Sequence, residues 1–212
     1  MIKDNLSAIL SSIPSEVTLV AVSKTKPVVR IKEAYESGQL DFGENKVQEM
    51  VEKAAVLPKN IRWHMIGHLQ RNKVKYIAPF VSLIQSVDSS RLLNEIEKQG
   101  KKNERVIDCL LQVRIAQEET KFGLTYKDCD SLLQKFDCTN VRIRGLMGMA
   151  SFTANQYQIE IEFRSLLEYY NQHQPQQQWD TLSMGMSGDY PLALTCGSNM
   201  IRVGSSIFGA RN

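Results

Sequence analysis

Two loops rich in glycine and serine carry the clearest chemical signal in this sequence. LSMGMSGD spans residues 182–189 and IRVGSSIFGAR spans residues 201–211, and each follows an apolar segment and leads into a predicted helix. Glycine lets the backbone approach an anion, serine hydroxyls donate to it, and a helix N-terminus adds unpaired N–H groups. Either loop alone is also typical of an ordinary strand-to-helix turn, but the pair predicts a phosphate site like that of a (β/α)8 barrel.

One lysine stands where its amine could react. Lys24 follows the apolar segment VTLVAV (17–22), so its ammonium is expected to lie against an apolar surface. Desolvation disfavours the charged form of an amine and lowers its pKa, which makes the amine nucleophilic. Such an amine beside a phosphate site predicts a Schiff base with a phosphorylated aldehyde, either pyridoxal 5'-phosphate (PLP) or a sugar phosphate. The alternative is a lysine that extends to solvent, as expected for Lys26.

Arg202 and two histidines are further candidates. Arg202 lies just before the glycine and serines of the second loop, where it could bind phosphate, face a ring nitrogen or lie on the surface. His64 and His68 are four residues apart, like metal ligands on a helix, but Gly67 interrupts the segment and no adjacent carboxylate completes a site. We predict no metal site and expect this segment to line a pocket.

Strand-like and helix-like segments alternate along the whole chain, which indicates an α/β protein. The predicted strands are 17–23, a short segment ending at 42, 61–67, 81–87, 106–115, 141–147, 179–185 and 199–204. A helix-like segment follows each of them, so the strands are expected to be parallel. Eight such units and the paired final loops favour a closed (β/α)8 TIM barrel over a doubly wound sheet. No linker divides the chain, so residues 1–212 are predicted to form a single domain.

Three local predictions accompany this pattern. Residues 1–13 are amphipathic and are expected to form a helix packed on the domain. Asp88 is expected to cap the helix that runs to Gly100. The glutamine-rich stretch 172–178 is expected to be a solvated loop.

Composition excludes several other classes of protein. The chain has 42% hydrophobic and 23% charged residues and a net charge of +3, too small to indicate nucleic-acid binding. Its four cysteines form no CxxC pair, which is typical of reduced thiols in the cytoplasm. No segment has the pattern of a membrane span or a secretory signal. We therefore expect a cytoplasmic protein that binds neither nucleic acid nor membrane.

Across nearly its whole length the sequence resembles the pyridoxal phosphate homeostasis protein family. These proteins are small relatives of the alanine racemase N-terminal barrel, the fold type III PLP-binding barrel without its C-terminal β-domain. The matching segments, in the family's order, are VAVSKTKP (20–27), DFGENKVQE (41–49), WHMIGHLQRNK (63–73), SVDS (86–89), QVRIAQEETKFGL (112–124), GLMGMA (145–150), LSMGMSGD and IRVGSSIFGAR.

The resemblance implies a role for each matching residue. Lys24 would form the Schiff base with PLP, Asn45 would bond the phenolic oxygen of the ring, and Arg202 would face the pyridine nitrogen. The residues implied in phosphate binding are Ser183, Met184, Gly185, Gly204 and Ser205. The chain departs from the family's usual residues at Gly188, Arg71 and Ser205, and only the last of these retains a hydroxyl at the phosphate site.

The family resemblance implies a binding protein rather than an enzyme. PLP accelerates carbanion chemistry when its ring nitrogen is protonated, and a permanently charged arginine opposite that nitrogen opposes the protonation. Racemisation also needs an acid or base on each face of the substrate, and only Lys24 is evident. The implied function is PLP homeostasis by a monomer that holds PLP reversibly and delivers it to apo-enzymes. The alternatives are a PLP-dependent amino-acid racemase or lyase of low activity and a sugar-phosphate aldolase.

Overall fold

Eight parallel strands form a closed barrel in chain order. A computed structural model describes residues 1–117 and 122–209. The strands are β1 (Thr18–Val22), β2 (Asp41–Glu44), β3 (Arg62–Met65), β4 (Leu83–Val87), β5 (Ile107–Val113), β6 (Val141–Gly148), β7 (Thr181–Ser183) and β8 (Met200–Val203). Because β1 pairs in parallel with both β2 and β8, the sheet has no edge. The predicted TIM barrel is confirmed, and the doubly wound sheet is excluded.

Helices follow the strands and cover the outside of the barrel. They are α1 (Ile2–Ser12), α2 (Val28–Glu36), α3 (Val47–Val56), α4 (Val74–Ile77), α5 (Ser90–Lys102), α6 (Tyr126–Gln134), α7 (Gln156–Gln177), α8 (Tyr190–Thr195) and α9 (Ser205–Phe208). A turn of 3-10 helix, Arg71–Lys73, leads into α4. None of the helices in the described residues has the length and apolar character needed to cross a membrane.

Apolar side chains are buried in two separate places. The larger cluster fills the layer between the strands and the helices, and Phe42, Ile84 and Phe163 are among its fully buried members. The smaller cluster consists of Val20, Leu83, Leu110, Met147 and Met200, each from a different strand. Strands of a parallel barrel are covered on both faces, which explains why their sequences are almost continuously apolar.

The amphipathic N-terminal segment is confirmed as a helix. Ile2, Leu6 and Ile9 lie on the buried face of α1, and α1 contacts α2 and α9. The Asn5 side-chain amide donates to the carbonyl of Ile207 at 2.9 Å. The first and last helices therefore pack together beside the seam at which β1 meets β8.

The predicted cap of α5 is wrong by one residue. Ser89 is the N-cap, and its Oγ accepts from the backbone N–H of Leu92 at 3.3 Å. Ser89 has an extended backbone with φ −165° and ψ 151°, which directs its hydroxyl at the first helical turn. Asp88 instead lies 3.0 Å from His68 Nδ1.

The glutamine-rich stretch is also not a loop, because α7 continues through it to Gln177. Glutamine is a good helix former, so a polar sequence here does not oppose a solvated helix. The His173 ring also lies 4.2 Å from the Tyr169 ring and 5.8 Å from that of buried Trp179, which fixes this end of α7 to the barrel.

Candidate functional site

A cavity of about 610 Å³ opens at the end of the barrel where the strands finish. Lys24, Asn45, Arg202, Gly204 and Ser205 all line it. Lys24 follows β1, Asn45 follows β2, and the other three belong to β8 and the turn after it. The structure thus brings five of the eight predicted cofactor residues, distant in sequence, to one cavity. Active sites of barrels of this kind lie at this end.

The other three predicted residues lie below the cavity rather than on its wall. Ser183 is fully buried, and its Oγ lies 2.7 Å from Gln85 Oε1 and 2.6 Å from Arg202 Nη1. Met184 is also fully buried. Gly185 has φ +93°, and a Cβ there would lie 2.7 Å from that of Ala193. The role of these three residues in phosphate binding stays a prediction, and the contacts that the structure shows for the Ser183 hydroxyl are with Gln85 and Arg202.

Ser187 is a cavity residue that the sequence analysis did not single out. It lies four residues after Ser183 in the same loop and lines the cavity. Its Oγ accepts from the backbone N–H of Gly204 at 3.1 Å, so the two glycine- and serine-rich loops are bonded to each other. The second serine of LSMGMSGD was the available signal, but sequence alone did not show which serine faces the cavity.

Arg202 places a buried positive charge at the floor of the cavity. Its Nη1 donates to Ser183 Oγ at 2.6 Å, its Nη2 donates to the carbonyl of Gly148 at 2.9 Å, and the residue is only 3% exposed. Burial lowers the pKa of the guanidinium to about 10, while the charge of Asp189 acts in the opposite direction. Arg202 is therefore a cation at neutral pH. Its two hydrogen-bond partners among the described residues are uncharged oxygens, so neither bond neutralises the guanidinium.

The backbone that carries Lys24 is held by a buried network on its outer side. Ser23 Oγ donates to Glu44 Oε1 at 2.6 Å, and the Lys53 ammonium donates to the same oxygen at 2.7 Å. Lys53 also donates to the carbonyl of Ser23 at 2.8 Å. Burial raises the pKa of the Glu44 carboxyl, although the bonds from Lys53 and Ser23 act to lower it.

The same network continues on the other side of Lys24. Glu49 accepts from Lys53 at 2.6 Å and from the backbone N–H of Thr25. Thr25 has φ +63°, a left-handed conformation that is uncommon for a β-branched residue. The residues before and after Lys24 are therefore both bonded to this network, which holds the backbone on both sides of the lysine.

His68 forms part of the cavity wall. Its ring stacks on that of Phe122, with 4.0 Å between centroids and 15° between planes, and its Nδ1 lies 3.0 Å from Asp88 Oδ2. Gln112 Nε2 donates to the carbonyl of Phe122 at 3.0 Å. The expectation that the segment around His68 lines a pocket agrees with this position.

A close backbone contact positions Asn45. A Cβ on Gly67 would lie 2.4 Å from the carbonyl oxygen of Asn45 and 2.6 Å from its Cα. Only glycine lets these two segments approach so closely. The GEN and IGH motifs are thus in direct contact at the cavity wall.

The donor set of the cavity fits a flat ring that carries an anion and an aldehyde. Val22, Ile66 and Met149 supply apolar walls, which suit an aromatic ring. Ser187 and Ser205 supply hydroxyls, and the first amides of α9 have no partner inside that helix. Lys24 supplies an amine on the same cavity. Residues 118–121 and 210–211, which complete two of the matching motifs, lie outside the described residues.

Comparison with known sequences identifies the relatives of the chain. The family described as alanine racemase, N-terminal domain, matches residues 1–212. A pyridoxal phosphate homeostasis protein of Haemophilus influenzae is 41% identical over 203 residues, which cover 92% of this chain and 86% of the relative. The protein of that name from Escherichia coli K12 is 34% identical over 221 residues, covering 100% of this chain and 94% of the relative.

Solved structures agree with these relatives. PipY of Synechococcus elongatus, determined with PLP bound, has a TM-score of 0.91 and 35% identity, and the match covers 99% of this chain and all of PipY. Alanine racemase of Bartonella henselae has a TM-score of 0.76 at 17% identity, and the match covers 58% of it, which shows the shared barrel alone. The chain therefore belongs to the alanine racemase N-terminal domain family and, within it, to the pyridoxal phosphate homeostasis proteins.

Proposed function

We propose that this protein binds PLP in the cavity at the carboxyl end of the barrel and holds it covalently on Lys24. The observation that carries the proposal is that Lys24 lines the same cavity as buried Arg202 and the two loops that contain Ser187 and Ser205. The lysine nitrogen adds to the aldehyde carbon and one water leaves, which gives a Schiff base without any oxidant or reductant. The PLP seen in PipY, which shares the fold over its whole length, supports the same ligand here.

Each cavity residue has a role in this proposal that its position supports. Ser187, Ser205 and the backbone around Gly204 bind the phosphate, because hydroxyl and amide donors converge there. Arg202 faces the ring nitrogen from the cavity floor, and Asn45 bonds the phenolic oxygen from the side. Ser183 and the buried backbone of Met184 and Gly185 support the floor from below.

The charge of Arg202 supports a carrier role. PLP supplies an electron sink when its ring nitrogen is protonated. A guanidinium that is fixed as a cation beside that nitrogen disfavours its protonation and so weakens the sink. We infer that the protein holds PLP reversibly, limits the free aldehyde and releases it to apo-enzymes. The naming of its relatives for PLP homeostasis supports this role.

One observation favours the second candidate, an amino-acid racemase or lyase of low activity. His68 lines the cavity and its Nδ1 lies 3.0 Å from a carboxylate oxygen of Asp88. A carboxylate that orients an imidazole is a common arrangement in acid–base catalysis. His68 is therefore an acid–base candidate in addition to Lys24, and no such candidate was evident from the sequence.

A reduction experiment tests PLP attachment. The purified protein is mixed with PLP and treated with borohydride, and its peptides are analysed by mass spectrometry. We expect a visible absorption band that disappears on reduction, with the added mass on Lys24, and no such band in Lys24→Ala. Added mass on another lysine would contradict the proposal, and trapping of a sugar phosphate instead of PLP would favour the aldolase.

A second measurement separates carrier from enzyme. Single enantiomers of amino acids are incubated with the PLP-loaded protein in deuterated water, and exchange of the α-proton is followed by NMR. Little exchange is expected of a carrier. Rapid exchange that Lys24→Ala or His68→Ala abolishes would establish the racemase or lyase.

A further inference from the structure

A line of buried polar side chains runs inside the barrel, away from the cavity floor. Arg202 Nη1 lies 2.6 Å from Ser183 Oγ, which lies 2.7 Å from Gln85 Oε1. Gln85 Nε2 lies 3.0 Å from His64 Nδ1, and His64 Nε2 lies 3.0 Å from Asp41 Oδ1. The five residues come from five strands, and none is more than 8% exposed. Polar groups buried this deeply inside a barrel are costly unless they are bonded, and these are bonded to one another.

The chemistry of the groups gives every bond in this line the same direction. Arginine has no acceptor, so Ser183 Oγ accepts from Arg202 and its own proton goes to Gln85 Oε1. Gln85 then presents its NH₂ group to His64 Nδ1, which must accept. The ring proton of neutral His64 is therefore on Nε2, and it is donated to the carboxylate of Asp41.

Asp41 terminates the line as a fixed charge. Its carboxylate also accepts from Arg62 Nε at 2.7 Å and from a second nitrogen of the same guanidinium. Asp41 begins β2 and Arg62 begins β3, so this anchor lies at the barrel end opposite the cavity. A bidentate pair of this kind holds the carboxylate in one orientation.

We propose that Ser183, Gln85, His64 and Asp41 are positioning residues that fix the Arg202 guanidinium at the cavity floor for contact with the ring of the cofactor. This inference rests on the proposed PLP site for its functional consequence, but the line of hydrogen bonds itself does not depend on PLP. Among the described residues the Arg202 side chain has two hydrogen-bond partners, Ser183 and Gly148, and Gly148 supplies only a backbone carbonyl. The line therefore determines where the other half of the guanidinium is held.

The first test examines the hydrogen bonds of this line in the protein without ligand. The protein is labelled with ¹⁵N-histidine, and the His64 ring is examined by NMR at about pH 8, where an ordinary histidine is neutral. We expect a proton on Nε2 and an unprotonated, hydrogen-bonded Nδ1. Gln85→Leu should remove the signature of the bonded Nδ1. A proton on Nδ1 of the wild-type ring would overturn the proposal whatever the protein does with PLP.

The second test measures PLP affinity by titration. Gln85→Leu leaves Ser183 without its acceptor, and we expect PLP affinity to fall about tenfold because Arg202 is no longer held in place. Gln85→Glu keeps an acceptor for Ser183 and a partner for His64, provided that His64 becomes the doubly protonated cation. We therefore expect Gln85→Glu to bind PLP within about twofold of the wild type and to show protons on both ring nitrogens of His64.

The matched control is Gln99→Leu, because Gln99 is also a buried glutamine but lies on α5 and bonds Glu95. It should lose stability without losing PLP affinity. Wild-type affinity in Gln85→Leu, or equal losses in Gln85→Leu and Gln85→Glu, would overturn the positioning role. If Gln85→Leu does not fold, Ser183→Ala replaces it. A wild-type protein that fails to bind PLP would contradict the proposed function. The NMR spectrum of the His64 ring would still test whether the line of hydrogen bonds exists.

Discussion

The ammonium of Lys53 donates to the backbone carbonyl of Ser23, 2.8 Å away, and thereby fixes the residue that precedes Lys24. Lys53 is 5% exposed and forms ion pairs with two carboxylates, those of Glu44 and Glu49. A buried charge that loses its partner is strongly destabilising, whereas an exposed ion pair contributes little. The cavity thus depends on a charge network that lies behind it.

Replacing Lys53 by methionine should therefore have a large effect on stability. We expect the free energy of unfolding to fall by about 3–5 kcal/mol, because the buried carboxylate of Glu44 and the partly buried one of Glu49 lose their counterion. Urea denaturation measures the change. The control is Lys32→Met, which breaks a pair with Glu36 in which both side chains are 63% exposed, and it should be nearly neutral. A loss in Lys53→Met no greater than in the control would show that the network is not stabilising.

Substitution of Ser187 should weaken binding of the phosphate of PLP, whereas substitution of Ser183 should weaken binding of its ring. Ser187 lines the cavity, so Ser187→Ala should weaken PLP binding about tenfold and leave binding of pyridoxal, which lacks the phosphate, unchanged. Ser183→Ala acts through Arg202 and should weaken both ligands equally. Titrations with the two ligands measure the difference. A phosphate-dependent loss in Ser183→Ala would instead favour the role first predicted for Ser183.

Asp41 should make the protein sensitive to acid. Burial raises the pKa of its carboxyl, but hydrogen bonds from Arg62 and His64 outweigh burial and bring the pKa from 3.8 to about 2. Because the folded state has the lower pKa, the stabilisation is complete above about pH 4 and is lost as the pH falls through about 2. The difference in pKa corresponds to roughly 2 kcal/mol.

Denaturation curves at several pH values check this prediction. Asp41→Asn should be less stable than the wild type at neutral pH. The difference between their free energies of unfolding should narrow by roughly 2 kcal/mol between pH 4 and pH 2. A difference in the free energy of unfolding that stays constant across this interval would mean that folding does not change the pKa of Asp41.

Gly67 should be required for the position of Asn45. A Cβ on Gly67 would lie 2.4 Å from the Asn45 carbonyl oxygen, so Gly67→Ala must displace one of the two segments. We expect a loss of about 1–3 kcal/mol in stability and about a tenfold loss in PLP affinity. Gly100→Ala provides the control. Gly100 lies on α5, away from the cavity, and a Cβ there would lie 2.7 Å from the carbonyl oxygen of Asn140. This substitution should cost similar stability with unchanged PLP affinity, and equal losses of affinity in both variants would refute a specific role for Gly67.

The sequence was sufficient to predict the barrel because parallel strands need apolar residues on both faces. VTLVAV and VSLIQSV are recognisable for this reason. Strand ends were less accurate. The segment 179–185 was predicted as one strand, whereas β7 spans only Thr181–Ser183, and buried Trp179 belongs to the larger apolar cluster.

The inside of the barrel could not be predicted in the same way. Gln85 and Ser183 are 98 residues apart, and Asn45 and Gly67 meet only because β2 and β3 are neighbours. No local pattern reports such contacts. The sequence therefore indicated which loops meet at the cavity. It did not indicate that Ser187 rather than Ser183 lines the cavity, because this depends on the alternation of side chains along the strand and on the turn that follows it.

Closure of the barrel has a consequence for how the protein matures. β1 pairs directly with β8, in a register that places Val20 opposite Arg202. Until β8 has been synthesised, the nascent polypeptide contains the amine of Lys24. It lacks both the pairing of β1 with β8 and the guanidinium of Arg202. Domains fold as units during synthesis, and a ring closed by its first and last strands is completed only at the end. A prematurely terminated translation product would therefore lack the complete cavity in which we propose that the vitamin-derived aldehyde is held.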